Sequence, residues 1–316
     1  MSEGSTDRGP ALRTVDLSKS FEGLEAVSRL NLSIERGTMC ALVGPDGAGK
    51  TTTIRMLCGI IPPTGGTAEI LGYDTVRQRR ELKQKIGYLS QGFSLYEDLS
   101  VDENIEFFAE IHKVRDFTRR REQLLEFTRL TPFRRRLAGR LSGGMKKKLA
   151  LACTLVHHPE IIFLDEPTTG VDPVSRRDFW LILSEVLKEG ITVLISTPYL
   201  DEAERCSMVA MLSGGKLLAL DTPKGMRGHM QGSIVEFSVS DVRRAVKMLP
   251  CGREPWCREL QLFGDRFDVR TDDSVGTIEH VSAILAGEDI RIMDAREVTP
   301  SLENVFISIL QRRESA

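Results

Sequence analysis

Two groups of residues have the types and spacing needed to handle a polyphosphate. The first is Gly44-Pro45-Asp46-Gly47-Ala48-Gly49-Lys50-Thr51. It satisfies the phosphate-loop pattern of glycine, four free positions and then Gly-Lys-Ser/Thr. A triphosphate concentrates negative charge, so the loop holding it must aim backbone N–H groups inward. Glycines permit that curvature and that close approach. A helix beginning near Gly49 adds the positive end of its dipole. In this reading Lys50 bridges the β- and γ-phosphates of ATP, the Thr51 hydroxyl ligates Mg²⁺, and Thr52 adds a further hydroxyl to the phosphates. Asp46 sits at a free position of the pattern and is expected to alter affinity little. The second group is Ile161-Ile162-Phe163-Leu164-Asp165-Glu166, an apolar run ending in two acids. Asp165 suits the Mg²⁺ shell, through water. Glu166 suits the base that orients and polarises a water aimed in line at the γ-phosphorus. Two acids ending a strand also occur as a helix cap; the phosphate loop in the same chain favours the chemical reading.

The elements around these groups follow from hydrophobic periodicity. Met39–Val43, Ile161–Asp165 and Thr192–Ser196 are apolar runs of strand length, which suit strands buried on both faces of a parallel sheet. The strand ending in the two acids is expected beside the phosphate-loop strand. Lys50–Cys58 places Ile54, Leu57 and Cys58 on one helical face before Gly59. Ser175–Glu189 repeats Phe179, Ile182, Leu183, Val186 and Leu187 at helical spacing, with Asp172 as N-cap and Pro173 in the first turn. Met208–Leu212 and Leu217–Leu220 flank Ser213-Gly214-Gly215-Lys216, a hairpin signal. The charged stretch from about Ser94 to Leu141 reads as a helical insertion.

The pattern changes after Gly232. Strands are expected at Ser233–Val239, Glu259–Phe263, Phe267–Arg270 and Asp289–Met293, with helices around Val242–Leu249 and Ile278–Leu285 and a last one carrying Leu302, Val305, Phe306, Ile309 and Leu310. The order β-α-β-β-α-β matches a ferredoxin-like unit with an added terminal helix. The fold class is therefore α/β with a second, smaller α+β domain. Residues 1–10 read as a disordered leader, 11–225 as an ATP-binding domain with a helical subdomain at about 94–157, and 226–316 as an accessory domain.

Composition narrows the function classes. The net charge of −2 over 316 residues gives no support for a general nucleic-acid binder. No run approaches the roughly 18 apolar residues that span a bilayer, and the polar N-terminus lacks the apolar core of a signal peptide. A cytosolic location is expected. The six cysteines, Cys40, Cys58, Cys153, Cys206, Cys251 and Cys257, form no CxxC pair and read as reduced, small hydrophobes, although Cys251 and Cys257 are close enough in sequence to meet. The basic runs Arg119–Arg121, Arg134–Arg136 and Lys146–Lys148 read as solvated faces, with contact to a membrane protein or anionic lipid as the alternative.

Further motifs carry a family resemblance. Leu141-Ser142-Gly143-Gly144-Met145 resembles the LSGGQ signature of ATP-binding-cassette (ABC) ATPases, in family order between the phosphate loop and the acid pair. Gln91 looks like the Q-loop glutamine, Pro167–Pro173 like the D-loop, and Phe21 like the aromatic residue that stacks on adenine. The resemblance covers residues 11–225 and implies a P-loop NTPase cassette. It implies that Ser142, Gly143 and Gly144 cap the γ-phosphate of a second cassette, in a homodimer or heterodimer, and that Gln91 touches Mg²⁺ and the attacking water. It also implies a separate polytopic membrane permease as partner and a peripheral place on the inner face of the cell membrane. Pro300–Phe306 is similar to the closing motif of exporter ATPases, including drug-efflux types. Two departures stand out. Met145 replaces the usual glutamine, a change expected to be tolerated; Pro198 stands where the family carries a histidine that bonds the γ-phosphate, so either slow turnover or help from another chain is expected. A soluble, non-transport ABC ATPase and a cassette that binds ATP with weak turnover are the competing readings.

Overall fold

Four or five consecutive apolar residues, all buried, require hydrogen-bonded neighbours on both edges and cover on both faces. In the computed structural model, which describes residues 9–92, 95–252 and 254–314, this arrangement occurs at β3 (Met39–Val43) and β7 (Ile161–Asp165). Residues 1–8 of the expected leader lie outside the described residues. The chain divides into two units, one running to Leu220 and one from Asp221 onward.

The first unit opens with β1 (Leu12–Phe21) and β2 (Leu24–Ile34), an antiparallel pair. β3 leads through the phosphate loop into α1 (Lys50–Leu57). β4 (Gly65–Ile70) and β5 (Tyr73–Asp74) return to complete a sheet in the order β2-β1-β4-β5. After the single turn α2 (Arg79–Leu82) come β6 (Ile86–Leu89) and three helices, α3 (Val101–Ile111), α4 (Phe117–Phe127) and α5 (Gly143–Leu155). β7, α6 (Pro173–Lys188), β8 (Thr192–Thr197), α7 (Leu200–Ala203), β9 (Met208–Ser213) and β10 (Lys216–Asp221) follow. The second sheet has the order β10-β9-β3-β8-β7-β6, and its pairs β6·β7, β7·β8, β8·β3 and β3·β9 are parallel. One core, including Leu42, Ile54, Leu57, Phe163 and Leu194, joins both sheets to α1.

That order corrects one expectation. β7 is not beside β3; β8 lies between them. The α6 crossover returns the chain in parallel, and β8 fills the slot between the two motif strands. Polar groups at the end of β8 therefore stand between the phosphate loop and the acid pair.

The basic runs are only partly solvated. Arg120 is 7% exposed and donates to the Leu155 carbonyl at 2.8 Å. Arg134 reaches Asp102 and Glu122, each at 2.8 Å, and so ties α4 to α3. Lys146 and Lys148 pair with Glu97 and Asp178 at 2.7 and 2.6 Å. Arg119, Arg135 and Arg136 remain exposed. α3 itself starts at a capping box between Ser100 and Glu103.

The second unit contains α8 (Pro223–Gly228), β11 (Ser233–Val239), α9 (Val242–Met248), β12 (Glu259–Phe263), β13 (Arg266–Thr271), α10 (Ser274–Ala286), β14 (Ile292–Val298) and α11 (Leu302–Glu314). The antiparallel order β12-β13-β11-β14 is the ferredoxin-like arrangement. β14 starts three residues later than Asp289. Asp289 takes a left-handed φ of 58, Ile290 N bonds back to the Leu285 carbonyl, and the Ile290 side chain fills the core at the end of α10. Cys251 and Cys257, expected to be reduced, are bonded to each other. Gly252, at φ 86, folds the loop so that its N–H meets the Cys257 carbonyl at 2.8 Å. The other four cysteines are free and buried. α11 docks through Asn304, 2% exposed, whose amide donates to Gln261 and Asp268 at 2.9 and 2.7 Å while its oxygen accepts from Ser301. The closing motif thus seals a buried polar junction in addition to presenting an apolar face.

Candidate functional site

The phosphate loop leaves β3 at Gly44 and becomes α1 at Lys50. Its glycines serve different needs. Gly47 and Gly49 have φ of 79 and 96, a region that side chains rarely adopt. At Gly44 the constraint is space, because a Cβ there would collide with the Leu212 carbonyl. Pro45 and Asp46 are exposed at the loop crest, and Ala48 is buried beneath it. The Lys50 side chain is 4% exposed, and its ammonium donates to the carbonyls of Gly44 and Pro45 at 2.8 and 3.1 Å. It also lies 3.5 Å from Glu166 Oε1.

The acid pair ends β7 at the same place. Thr51 Oγ1 and Ser196 Oγ both donate to Asp165 Oδ1, at 3.0 and 2.6 Å. Asp165 Oδ2 is buried and has no hydrogen-bond partner among the described residues. Glu166 adopts a left-handed φ of 47. A non-glycine residue there costs about 1–3 kcal/mol and persists only where its surroundings enforce it. The enforcing contacts are visible: Glu166 N donates to Ser196 O and to Ser196 Oγ, at 3.2 and 3.0 Å. The carboxylate is then surrounded, with Lys50 on Oε1 and with Gln91 Nε2 and Thr169 Oγ1 on Oε2, at 3.2 and 3.4 Å.

Lys50, Thr51, Gln91, Glu166 and Thr169 line one cleft of about 1040 Å³, together with Thr52, Phe21, Pro198 and Tyr199. Phe21 is 45% exposed, and the Lys19 ammonium sits 5.0 Å above its ring. A flat, accessible aromatic face at the mouth of a cleft with a cationic floor can stack a base while the floor holds phosphates.

The signature residues are not part of this cleft. Ser142 caps α5, accepting from Met145 N at 3.3 Å, and Ser142 and Gly143 are exposed. Gly144 differs from both. A Cβ at this buried position would strike the Ser175 side chain, so this glycine lets α5 pack against α6.

Sequence reading passed over Ser196 and Thr169. The available signal for Ser196 was a hydroxyl at the carboxyl end of a buried parallel strand, where such sheets place their ligands. Glu202, 1% exposed, was also missed; it accepts from Thr168 and Thr197, both at 2.7 Å, and so anchors the turn after Glu166. Ser196→Ala is expected to lower ATP turnover about tenfold, the weight of one hydrogen bond to a charged group, with ATP affinity kept. Steady-state kinetics on the full chain checks this; an unchanged rate would mean that Ser196 does not hold the acids in place.

A family model described as "ABC transporter" matches residues 27–169. The chain is 40% identical over 306 residues to the probable multidrug ABC transporter ATP-binding protein YbhF of Escherichia coli K12, covering 93% of this chain and 51% of that protein. It thus spans about half the length of that relative. It is 34% identical over 313 residues to the daunorubicin resistance ATP-binding protein DrrA2 of Streptomyces coeruleorubidus, covering 96% of each. Among solved structures it resembles cbiO1 from Clostridium perfringens, described as part of the ABC transporter complex cbiONQ, with TM-score 0.65 and 28% identity over 70% of this chain and 91% of that one. With a relative of its own length matched almost end to end, the chain belongs to the ATP-binding proteins of the ABC transporter family.

Proposed function

We propose that this chain binds ATP with Mg²⁺ and hydrolyses it as the motor subunit of an exporter, acting on a separate polytopic membrane permease. The observation that carries this reading is the meeting of Lys50, Thr51, Gln91 and Glu166 in one cleft, with buried Asp165 hydrogen-bonded to Thr51 behind them. Lys50 places a buried cation where the β- and γ-phosphates would lie, and Phe21 offers its ring to the adenine. Asp165 and Thr51 fit a divalent ion, because Asp165 keeps one buried oxygen without a partner and Thr51 already meets the other. Gln91 is the third candidate ligand. Mg²⁺ would supply charge neutralisation on the phosphate oxygens. Glu166, held by Ser196 through its backbone, accepts a proton from a water aligned with the γ-phosphorus.

The exposed Ser142-Gly143 helix start supports pairing. An α5 N-terminus is a site for anions, yet these residues lie outside the cleft of their own chain. A phosphate capped there would come from a second cassette, in a homodimer or a heterodimer. No helix among the described residues is long and apolar enough to cross a membrane; in this reading the chain sits on the inner face of the membrane, against the permease. The names of YbhF and DrrA2, which refer to multidrug transport and drug resistance, support export. Co-purification from membranes should recover a polytopic partner with the tagged chain. A chain that hydrolyses ATP but associates with no membrane protein under mild detergent would contradict the transport reading.

Pro198 lines the cleft and has neither a side-chain donor nor a backbone N–H. Pro198→His is expected to raise turnover at saturating Mg-ATP. A full donor effect is on the order of 10²–10³, reduced here where product release limits the rate. With fold and affinity preserved, an unchanged or lower rate would show that the site lacks no donor.

A further inference from the structure

Of three consecutive lysines on α5, the outer two are neutralised by carboxylates and the middle one is not used that way. Lys146 pairs with Glu97 and Lys148 with Asp178, at 2.7 and 2.6 Å. Lys147 instead donates to the backbone carbonyl of Gln91 at 3.1 Å. Its ammonium is partly buried, which lowers its pKa, while Asp165 and Glu166 act on it in the opposite sense. The cation therefore lies within the field of both acids without bonding either. The next link runs from the Gln91 side chain to Glu166 Oε2 at 3.2 Å, and the other carboxylate oxygen faces Lys50 at 3.5 Å.

We propose that Lys147 is a positioning residue for ATP hydrolysis, fixing the Gln91 backbone so that its amide stays directed at Glu166. This rests on the reading of Gln91 and Glu166 as hydrolytic residues. The physical case is that Gln91 is exposed and lies two residues beyond the end of β6 at Leu89, so its side chain keeps its direction only if its own backbone is held. A half-buried ammonium gives up hydration to make that bond, and a charged donor to a carbonyl is stronger than a neutral one. Glu166 already sits in a strained backbone conformation. Its carboxylate direction then depends on the contacts made to its two oxygens, and Gln91 is one of them. Lys147 also ties this contact to α5, the helix that begins at the exposed Ser142-Gly143 start.

The test is steady-state ATP turnover of the full chain with Mg-ATP, for Lys147→Met, Lys147→Arg, Gln91→Ala and the Lys147→Met/Gln91→Ala pair. Lys147→Met should lower kcat about tenfold through misplacement of Gln91, with KM for ATP changed by less than about twofold. Lys147→Arg, which still donates to a carbonyl, should recover most of the rate, and it keeps the test usable if the Met variant folds poorly. In the Gln91→Ala background, Lys147→Met should add less than about twofold, since residues in one network are not additive. The proposal is overturned if Lys147→Met leaves kcat unchanged while Gln91→Ala lowers it. It is equally overturned if the Lys147→Met effect persists in full without the Gln91 side chain, or if Lys147→Arg is as slow as Lys147→Met. A Gln91→Ala variant of normal turnover would instead remove the underlying reading of Gln91, and this proposal with it.

Discussion

Lys50→Ala is expected to abolish tight ATP binding. The ammonium is buried, is oriented by two carbonyls of its own loop, and faces Glu166 at 3.5 Å. Its removal takes away the main positive charge of the cleft floor. Hydrogen bonds to charged groups contribute about 1.5–3 kcal/mol each. Loss of contacts to two phosphates therefore weakens ATP binding on the order of 10²-fold or more. The substitution also leaves Glu166 with one counter-charge fewer in a buried setting, so the melting temperature should fall as well. Titration with a fluorescent ATP analogue, alongside a thermal melt, reads both effects. Wild-type-like affinity in this variant would remove the phosphate loop from the account.

Glu166→Gln should show the opposite profile, with binding retained and chemistry stopped. An amide can still accept from Gln91, Thr169 or Lys50 and so preserves the packing around the carboxylate, but it cannot take a proton from water. General-base catalysis contributes about 10²–10⁴ in rate, and turnover should fall by that order. The change also removes a negative charge from the place where the γ-phosphate would lie, which favours a nucleotide-held pair of cassettes. Size-exclusion chromatography with Mg-ATP should then show an ATP-dependent dimer. Undiminished hydrolysis would rule out Glu166 as the base, while lost hydrolysis with a persistent monomer would argue against the pairing reading alone.

Much of this site was legible in the residues themselves, because each element carries its own local signal. The glycines of Gly44–Gly49 mark a loop between a buried strand and a helix, and Gly47 and Gly49 do take left-handed φ values. Asp172 and Pro173 open α6, with Asp172 accepting from Ser175 N at 2.9 Å. The second unit follows β-α-β-β-α-β from periodicity alone, and its four strands pair in ferredoxin-like order. The misplaced start of β14 shows the limit of that signal. Ile290 is apolar whether it pairs in a strand or plugs the end of a helix, and only its neighbours in space distinguish the two.

What the sequence by itself determined was the chemistry on offer: a phosphate loop, an acid pair on a buried strand, a second glycine-rich helix start, and a proline at position 198, which has no side-chain donor. These are short-range features, set by residue type and by periods of two and 3.6 residues. The tertiary structure decided which groups meet. The insertion of β8 between β3 and β7 made Ser196 the brace of both acids. The packing of α5 on α6 turned Gly144 into a spacer while leaving Ser142 and Gly143 exposed. One lysine of a uniform basic run was directed at the Gln91 carbonyl. The folding of a loop joined Cys251 to Cys257. Each of these depends on contacts between residues brought together by the sheet order or by chain reversal, where the side chain's type is compatible with several partners and the geometry of packing selects one.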